Sequence, residues 1–291
     1  PKGTTHEFWK AVHAGAKQAA TELGVEIIWK GPLKEDDRES QIKVVEDFIT
    51  RGVNGIVLAP LDDAALRTPV ADAVSSGIDV VIFDSDLKGG GYTSFVATDN
   101  YAAGRKAGEY MAKLLGDAGR VMVLRYQEGS ASTMKREQGF LDAIGEHSGI
   151  TVVSANQYGG ATTESAYAAS ENLLAAQRES GGQLAVDGIF CPNESTTFGM
   201  LRALQDGGLA GKVHFVGFDS SEKLIEAMEK GEIDALVLQD PFQMGYLAVK
   251  TLAAHLKGEA VEKTIDTGSN VITAENMDEA AMQKLLRPMV E

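Results

Sequence analysis

Apolar residues gather in short continuous runs: GIVLAP at 55–60, DVVIFDSD at 79–86, RVMVL at 120–124, GIFCPN at 188–193, VHFVGFD at 213–219 and ALVLQD at 235–240. Runs of this length without polar alternation read as strands buried on both faces. Between them, apolar positions recur at helical period and predict amphipathic helices over about 36–51, 62–76, 100–115, 132–147, 162–178, 195–206, 221–230 and 242–257. Alternation of strand and helix predicts an α/β chain whose parallel strands are covered on both sides, doubly wound through right-handed crossovers. The units are more numerous than one compact sheet carries, and two small sheets accommodate them. No low-complexity linker divides the chain, so any boundary is crossed by ordinary segments: ATDN at 97–100, LQDP at 238–241 and IDTGSNVIT at 265–273 are the candidates.

The stretch TTHEFWKAVHAGAKQAA (4–20) opens the first predicted helix. Thr4 and Glu7 stand at capping-box spacing. Val12, Ala16, Ala19 and Leu23 form one apolar stripe. Phe8 and Trp9 flank that stripe one turn earlier and cannot both lie on it, so they are either core and rim or the wall of a site. The leading PKG runs straight into this helix, where an α/β fold calls for a strand. We therefore expect upstream residues that supply that strand and any export signal.

Composition narrows the functional classes. A chain of 291 residues can form one large domain or two medium ones. The formal charge of −15 argues against nucleic acid as a partner, which would require a basic face. No apolar run reaches the roughly 20 residues that span a bilayer. Cys191 is the single cysteine, so no internal disulfide forms; at a strand end without an activating partner it reads as a buried inert thiol. The histidines at 6, 13, 147, 214 and 255 lack ligand spacing, so no metal site is expected. No G-x-G-x-x-G follows a strand, GGLAGKV lacks a phosphate loop's spacing and hydroxyl, Gly89–Gly91 reads as a surface turn, and there is no G-x-S-x-G elbow. No cofactor and no catalytic residue follow from these patterns.

One regularity does point to a site. Several predicted strands end in a hydrogen-bonding residue: Asp84 and Asp86, Asn193, Asp219 and Gln239. In open parallel sheets the carboxyl ends of the strands line the ligand crevice. Asp and Asn also serve as caps and turn formers, but their recurrence in both halves of the chain favours a shared crevice.

Taken in order, HEFWKAVHAGAKQAATELG, IVLAP, FDSD, TDNYAAGRKAGEYM, KREQGFLDAI, ENLLAA, FCPNESTTFGMLRALQDGG, VGFD and LQDPFQMGYLAVKTL resemble the sugar-binding proteins of bacterial ABC transporters, in the ribose- and glucose-binding group of periplasmic proteins. DTGSNVITAENMDE near the end is closest to glucose- and xylose-type members. The resemblance covers nearly the whole chain. It implies two doubly wound parallel-sheet lobes joined by a three-segment hinge, residues 1–98 and 241–265 against 99–240 and 266–291. A monosaccharide, an aldopyranose of the glucose or xylose type, would be enclosed between them. It implies a non-enzymatic, monomeric receptor that is periplasmic, or anchored as a lipoprotein facing outward, and delivers its ligand to an ABC permease.

Carried over position by position, the resemblance makes Phe8 and Trp9 the aromatic pair that holds the sugar ring. A pyranose presents an apolar C–H face and a polar rim, which suits a flat ring on one side. His6 takes the place of a polar contact, Asp84 and Asp86 follow the third strand of the family fold, and Arg136 in KREQGF reaches ring or hydroxyl oxygens. Asn193, Asp219 and Gln239 supply contacts from the second lobe and hinge. Carboxylates accept from adjacent hydroxyls and Arg donates in a fixed fork. The chain departs from the pattern at Ser85, where ribose binders carry Arg, and at Ala161, where a third aromatic often stands, leaving Tyr158 as the candidate for the far face. Lys2 and DSD resemble relatives that bind rhamnose or the furanosyl signal autoinducer-2. Two alternatives share the fold: the effector-binding core of a LacI-type regulator, and a sugar-modifying enzyme, for which no nucleophile–base pair is evident.

Overall fold

A computed structural model of the protein describes residues 1–179 and 183–289. In chain order its elements begin α1 (Glu7–Leu23), α2 (Arg38–Arg51), β1 (Gly55–Leu58), α3 (Arg67–Ser75), β2 (Asp79–Phe83), β3 (Ser94–Ala97) and α4 (Asn100–Leu115). They continue with β4 (Ala118–Arg125), α5 (Ala131–Gly145), β5 (Gly149–Tyr158), α6 (Thr163–Ala176), β6 (Gly188–Phe190), α7 (Glu194–Asp206) and β7 (His214–Phe218). The last are α8 (Glu222–Glu229), β8 (Ala235–Leu238), α9 (Pro241–Leu256), β9 (Thr264–Asp266), β10 (Asn270–Ile272) and α10 (Ala280–Leu286).

These strands form two sheets, β1-β2-β3-β9 and β10-β8-β7-β6-β4-β5. All neighbours are parallel except β10, which runs antiparallel to β8. Successive side chains of a strand point to opposite faces, and here both faces are core. Val80 and Ile82 pack with Leu66 and Val70 under α3, whereas Val81 and Phe83 pack with Trp9 and Met244 of α1 and α9. In the second sheet, Val121 and Val123 join Phe140 and Met111, while Met122 and Leu124 join Leu201 and Leu204. Burial on both faces explains why these strands read as unbroken apolar runs.

The chain passes between the two sheets three times: from β3 into α4, from β8 into α9, and from β9 to β10. Two passages are tied side by side. Thr98 Oγ1 donates to the Gly268 carbonyl at 2.9 Å, Thr267 N–H to that of Ala97 at 3.0 Å, and Asp99 N–H to Asp266 Oδ1 at 3.0 Å. The protein is thus an α/β molecule of two doubly wound lobes on a three-segment hinge. Among the described residues, no helix is long and apolar enough to cross a membrane.

Several expectations are corrected. The Thr4–Glu7 capping box does not form: His6 is the N-cap of α1 and its side chain makes no capping bond. Thr4 lies two residues too early and bonds the Pro32 carbonyl, while Glu7 pairs with Lys10 at 2.6 Å. The helix expected from 62 begins at Arg67, because Asp62 Oδ1 accepts from Ala64 N–H and Ala65 N–H and shapes a turn first. Strands β3, β5, β9 and β10 and helix α10 lie outside the predicted runs. β5 is an edge strand with mostly exposed side chains, so its sequence lacks the apolar run of a central strand. β9 and β10 are three residues each, too short to show a pattern.

Helices α1 and α9 touch backbone to backbone. A Cβ on Gly15 would stand 2.0 Å from the Phe242 carbonyl oxygen, and one on Gly245 2.0 Å from that of Val12. Neither oxygen can yield without moving a helix. Gly15→Val is therefore expected to destabilise the protein by about 1–3 kcal/mol, the usual cost of overpacking. A lowered midpoint in urea unfolding, with slope unchanged, checks this.

Candidate functional site

The carboxyl ends of both sheets face one narrow cleft, lined by Lys2, His6, Phe8, Trp9, Glu35, Asp84, Tyr126, Ser132, Thr133, Arg136, Asn193, Glu194, Asp219 and Gln239. Two carboxylates are presented by the same local device. Asp84, just after β2, and Asp219, just after β7, adopt left-handed backbone conformations with φ of 60° and 65°. Each sends its N–H to the neighbouring strand, Asp84 to Val96 and Asp219 to Val237, both at 3.0 Å. Asp is one of the few residues besides Gly that tolerate this region.

Each carboxylate is met by a cation. Lys2 Nζ lies 2.8 Å from Asp84 Oδ2 and donates to Ser132 Oγ at 3.0 Å. Arg136 lies over the Phe218 ring, 4.0 Å from its centroid, with Nη1 3.9 Å from Asp219 Oδ2. Its Nε donates to Asn100 Oδ1 at 2.7 Å and its Nη1 to the Pro192 carbonyl at 3.0 Å, which fixes the guanidinium plane. Asp219 also accepts from Gln239 Nε2 at 2.7 Å and from Glu194 N–H at 3.2 Å. Burial raises its carboxyl above the ordinary range, opposed by Arg136.

Glu35 anchors the aromatic wall. Its Oε1 accepts from Trp9 Nε1 at 2.6 Å and lies 2.7 Å from His6 Nδ1, while Oε2 accepts from Tyr126 OH at 2.6 Å. Burial alone would drive the Glu35 carboxyl up, but His6, by charge and hydrogen bond, holds it at about 2. Burial would likewise lower His6, but Glu35 outweighs it and lifts the imidazole to about 9. The indole is thereby fixed edge-on to Phe8, with centroids 4.9 Å apart at 89°. Trp9 is 3% exposed and belongs to the core between α1, α9 and β2 while also lining the cleft; Phe8 is only partly buried.

Of the residues expected at a site, nine line this cleft: Lys2, His6, Phe8, Trp9, Asp84, Arg136, Asn193, Asp219 and Gln239. Asp86 does not. Its Oδ1 accepts from Leu87 N–H and from Tyr92 OH at 2.7 Å, and Lys135 is 3.6 Å away, so it shapes the turn after β2. Tyr158 is exposed at the end of β5 beside Arg125, and Ala161 is buried elsewhere. Ser85, buried, accepts from Ser132 N–H at 3.1 Å instead of facing the cleft. Sequence reasoning missed Glu35, Tyr126, Ser132, Thr133 and Glu194. Tyr126 directly follows β4, so the strand-end rule could have found it. Glu35 sits in the acidic loop KEDD, where nothing separates it from its solvated neighbours. Among the described residues, no cluster of three metal-ligating side chains occurs.

The coupled pair makes a pH prediction. His6 is held above its usual 6.5 and Glu35 below its usual 4.5. The stabilisation is therefore full between those ordinary values, is lost as pH rises from 6.5 through about 9, and is lost as pH falls from 4.5 through about 2. Between about pH 6 and pH 9, thermal melts of the wild type should fall more steeply than those of His6→Asn.

Residues 1–260 match the periplasmic binding protein domain. A ribose import binding protein of Haemophilus influenzae is 31% identical over 266 residues, 91% of this chain and 87% of that protein. The D-allose-binding periplasmic protein of Escherichia coli is 31% identical over 259 residues, 86% of this chain and 81% of that protein. Among solved structures, an ABC transporter solute-binding protein of Agrobacterium vitis with bound D-fucose superposes with a TM-score of 0.92 at 36% identity, covering 98% of this chain and 97% of the other. A carbohydrate transporter solute-binding protein of Agrobacterium radiobacter in complex with D-arabinose gives 0.91 at 32%, covering 98% and 96%. Two sheets opposing their strand ends across a polar, aromatic-walled cleft accord with these matches, and the chain belongs to the periplasmic binding protein family.

Proposed function

We propose that this protein is the extracytoplasmic receptor of an ABC importer, capturing a monosaccharide between its lobes and presenting it to the membrane permease as a monomer. The observation that carries this reading is the cleft's donor and acceptor set. Asp84, Asp219 and Arg136 sit beside the Phe8–Trp9 wall, matching a ligand with an apolar face and a rim of hydroxyls. Aldoses head the candidates, since relatives are named for ribose and allose or hold D-fucose and D-arabinose. Those relatives are import receptors, which favours this reading over a regulator's effector core. The reading involves no chemical conversion of the sugar.

Over the described residues, the proposed lobes are residues 1–98 with 241–265 and residues 99–240 with 266–291, and the hinge lies near 98–100, 239–241 and 264–268. Membership of β9 in the first sheet and β10 in the second supports this division, with the third crossing falling after Asp266, the last residue of β9. Lys2, Phe8, Trp9 and Asp84 come from the first lobe, Arg136, Asn193 and Asp219 from the second. A sugar touching both sets binds the closed form better and shifts the population toward it. Hinge closure of this kind is a known mode of periplasmic binding proteins.

Two measurements test the reading. Calorimetry with D-ribose, D-allose, D-arabinose and D-fucose should find a ligand, and Asp219→Asn should weaken its binding by about 1.5–3 kcal/mol, roughly ten- to a hundred-fold. Small-angle scattering should give a smaller radius of gyration with that sugar than without it. A radius that stays put while calorimetry reports saturation would rule out closure of two lobes.

A further inference from the structure

The cleft brings together four carboxylates and three cations. Lys2 faces Asp84, His6 faces Glu35, and Arg136 faces Asp219. Glu194 is left over. It opens α7 immediately after Asn193, and its backbone N–H is held by Asp219 Oδ2 at 3.2 Å, so the side chain leaves from a fixed point. The residue as a whole is partly buried, but its Oε2 is sealed from solvent and meets no hydrogen-bond donor of the protein. From the opposite lobe it is approached by the N–H of Phe8 and the imidazole of His6. Burial pushes the carboxyl up to about 7; His6 opposes this and Asp219 adds to it. A desolvated carboxylate oxygen without a donor is costly, and every cation nearby is already committed to another carboxylate.

We propose that Glu194 is a specificity-determining ligand contact: its free carboxylate oxygen accepts a hydrogen bond from one sugar hydroxyl once the lobes have closed. This rests on the receptor reading above and adds to it the residue that counts a hydroxyl. Sugar hydroxyls are the donors that the protein withholds here. A sugar lacking that hydroxyl leaves the buried oxygen unmet, so the penalty falls on the missing group rather than on overall size.

The test compares wild type, Glu194→Ala and Glu194→Gln by calorimetry. The tightest binder among D-ribose, D-allose, D-arabinose and D-fucose is titrated first, then each of its monodeoxy analogues. We expect the wild type to bind one analogue roughly ten- to a hundred-fold more weakly than the parent sugar. In Glu194→Ala that penalty should shrink to about threefold or less, while the penalties for the other analogues persist, the pattern of a coupled pair. Should the alanine variant fail to fold, Glu194→Gln carries the comparison with a smaller but still reduced penalty, since it removes the charge and keeps one amide oxygen that can accept. Analogue penalties that are the same in wild type and variants overturn the role of Glu194 and leave the receptor reading standing. If the wild type binds none of the four sugars, the receptor reading falls and this inference with it.

Discussion

A carboxylate taken out of water must be met by donors, and in this protein that demand is concentrated at Glu35. Three groups answer it: the imidazole of His6, the indole N–H of Trp9 and the phenol of Tyr126. The first two come from the start of α1, the third from the end of β4 in the other sheet. The same contact therefore sets the plane of the aromatic wall, keeps a histidine charged and stitches one lobe to the other. Breaking it by removing one partner would leave a buried charge unsatisfied, which costs more than the bond itself is worth. Lys2 with Ser132, and Ser132 with Ser85, repeat the cross-lobe pattern on a smaller scale.

Much of the architecture was legible because the central strands are buried on both faces. Leu58, Val81 and Val123 sit in apolar runs since each faces a core whichever way it points. The edge strand β5 and the short pair β9 and β10 carried no such mark, because their residues are partly exposed and their pairing is decided at long range. The Thr4–Glu7 spacing misled for a local reason: the chain enters α1 through His6, whose contact with Glu35 outweighs the cap.

The cleft was legible wherever a strand ended in a polar residue, as at Asp84, Asn193, Asp219 and Gln239. Asp86, three residues beyond the end of β2, still turned away, because its carboxylate is taken up by Leu87 N–H and the Tyr92 hydroxyl. Glu35 and Glu194 were opaque for complementary reasons. One lies in an acidic loop and the other in a helix's first turn, two places where acidic residues are ordinary; contacts distant in sequence, His6, Trp9 and Tyr126 for Glu35 and Phe8 and His6 for Glu194, turn them into desolvated groups.

The left-handed backbone at Asp84 and Asp219 bears on how such a protein can change over evolutionary time. With φ of 60° and 65°, these positions admit Asn or Gly with little strain but resist β-branched and bulky residues. Drift at either one can trade a carboxylate for an amide, or delete the side chain, and little else. A lineage that acquires a new sugar must therefore write the change at neighbours with ordinary backbone, such as Asn193 or Gln239, while the two aspartates stay as fixed points around which preference is redrawn.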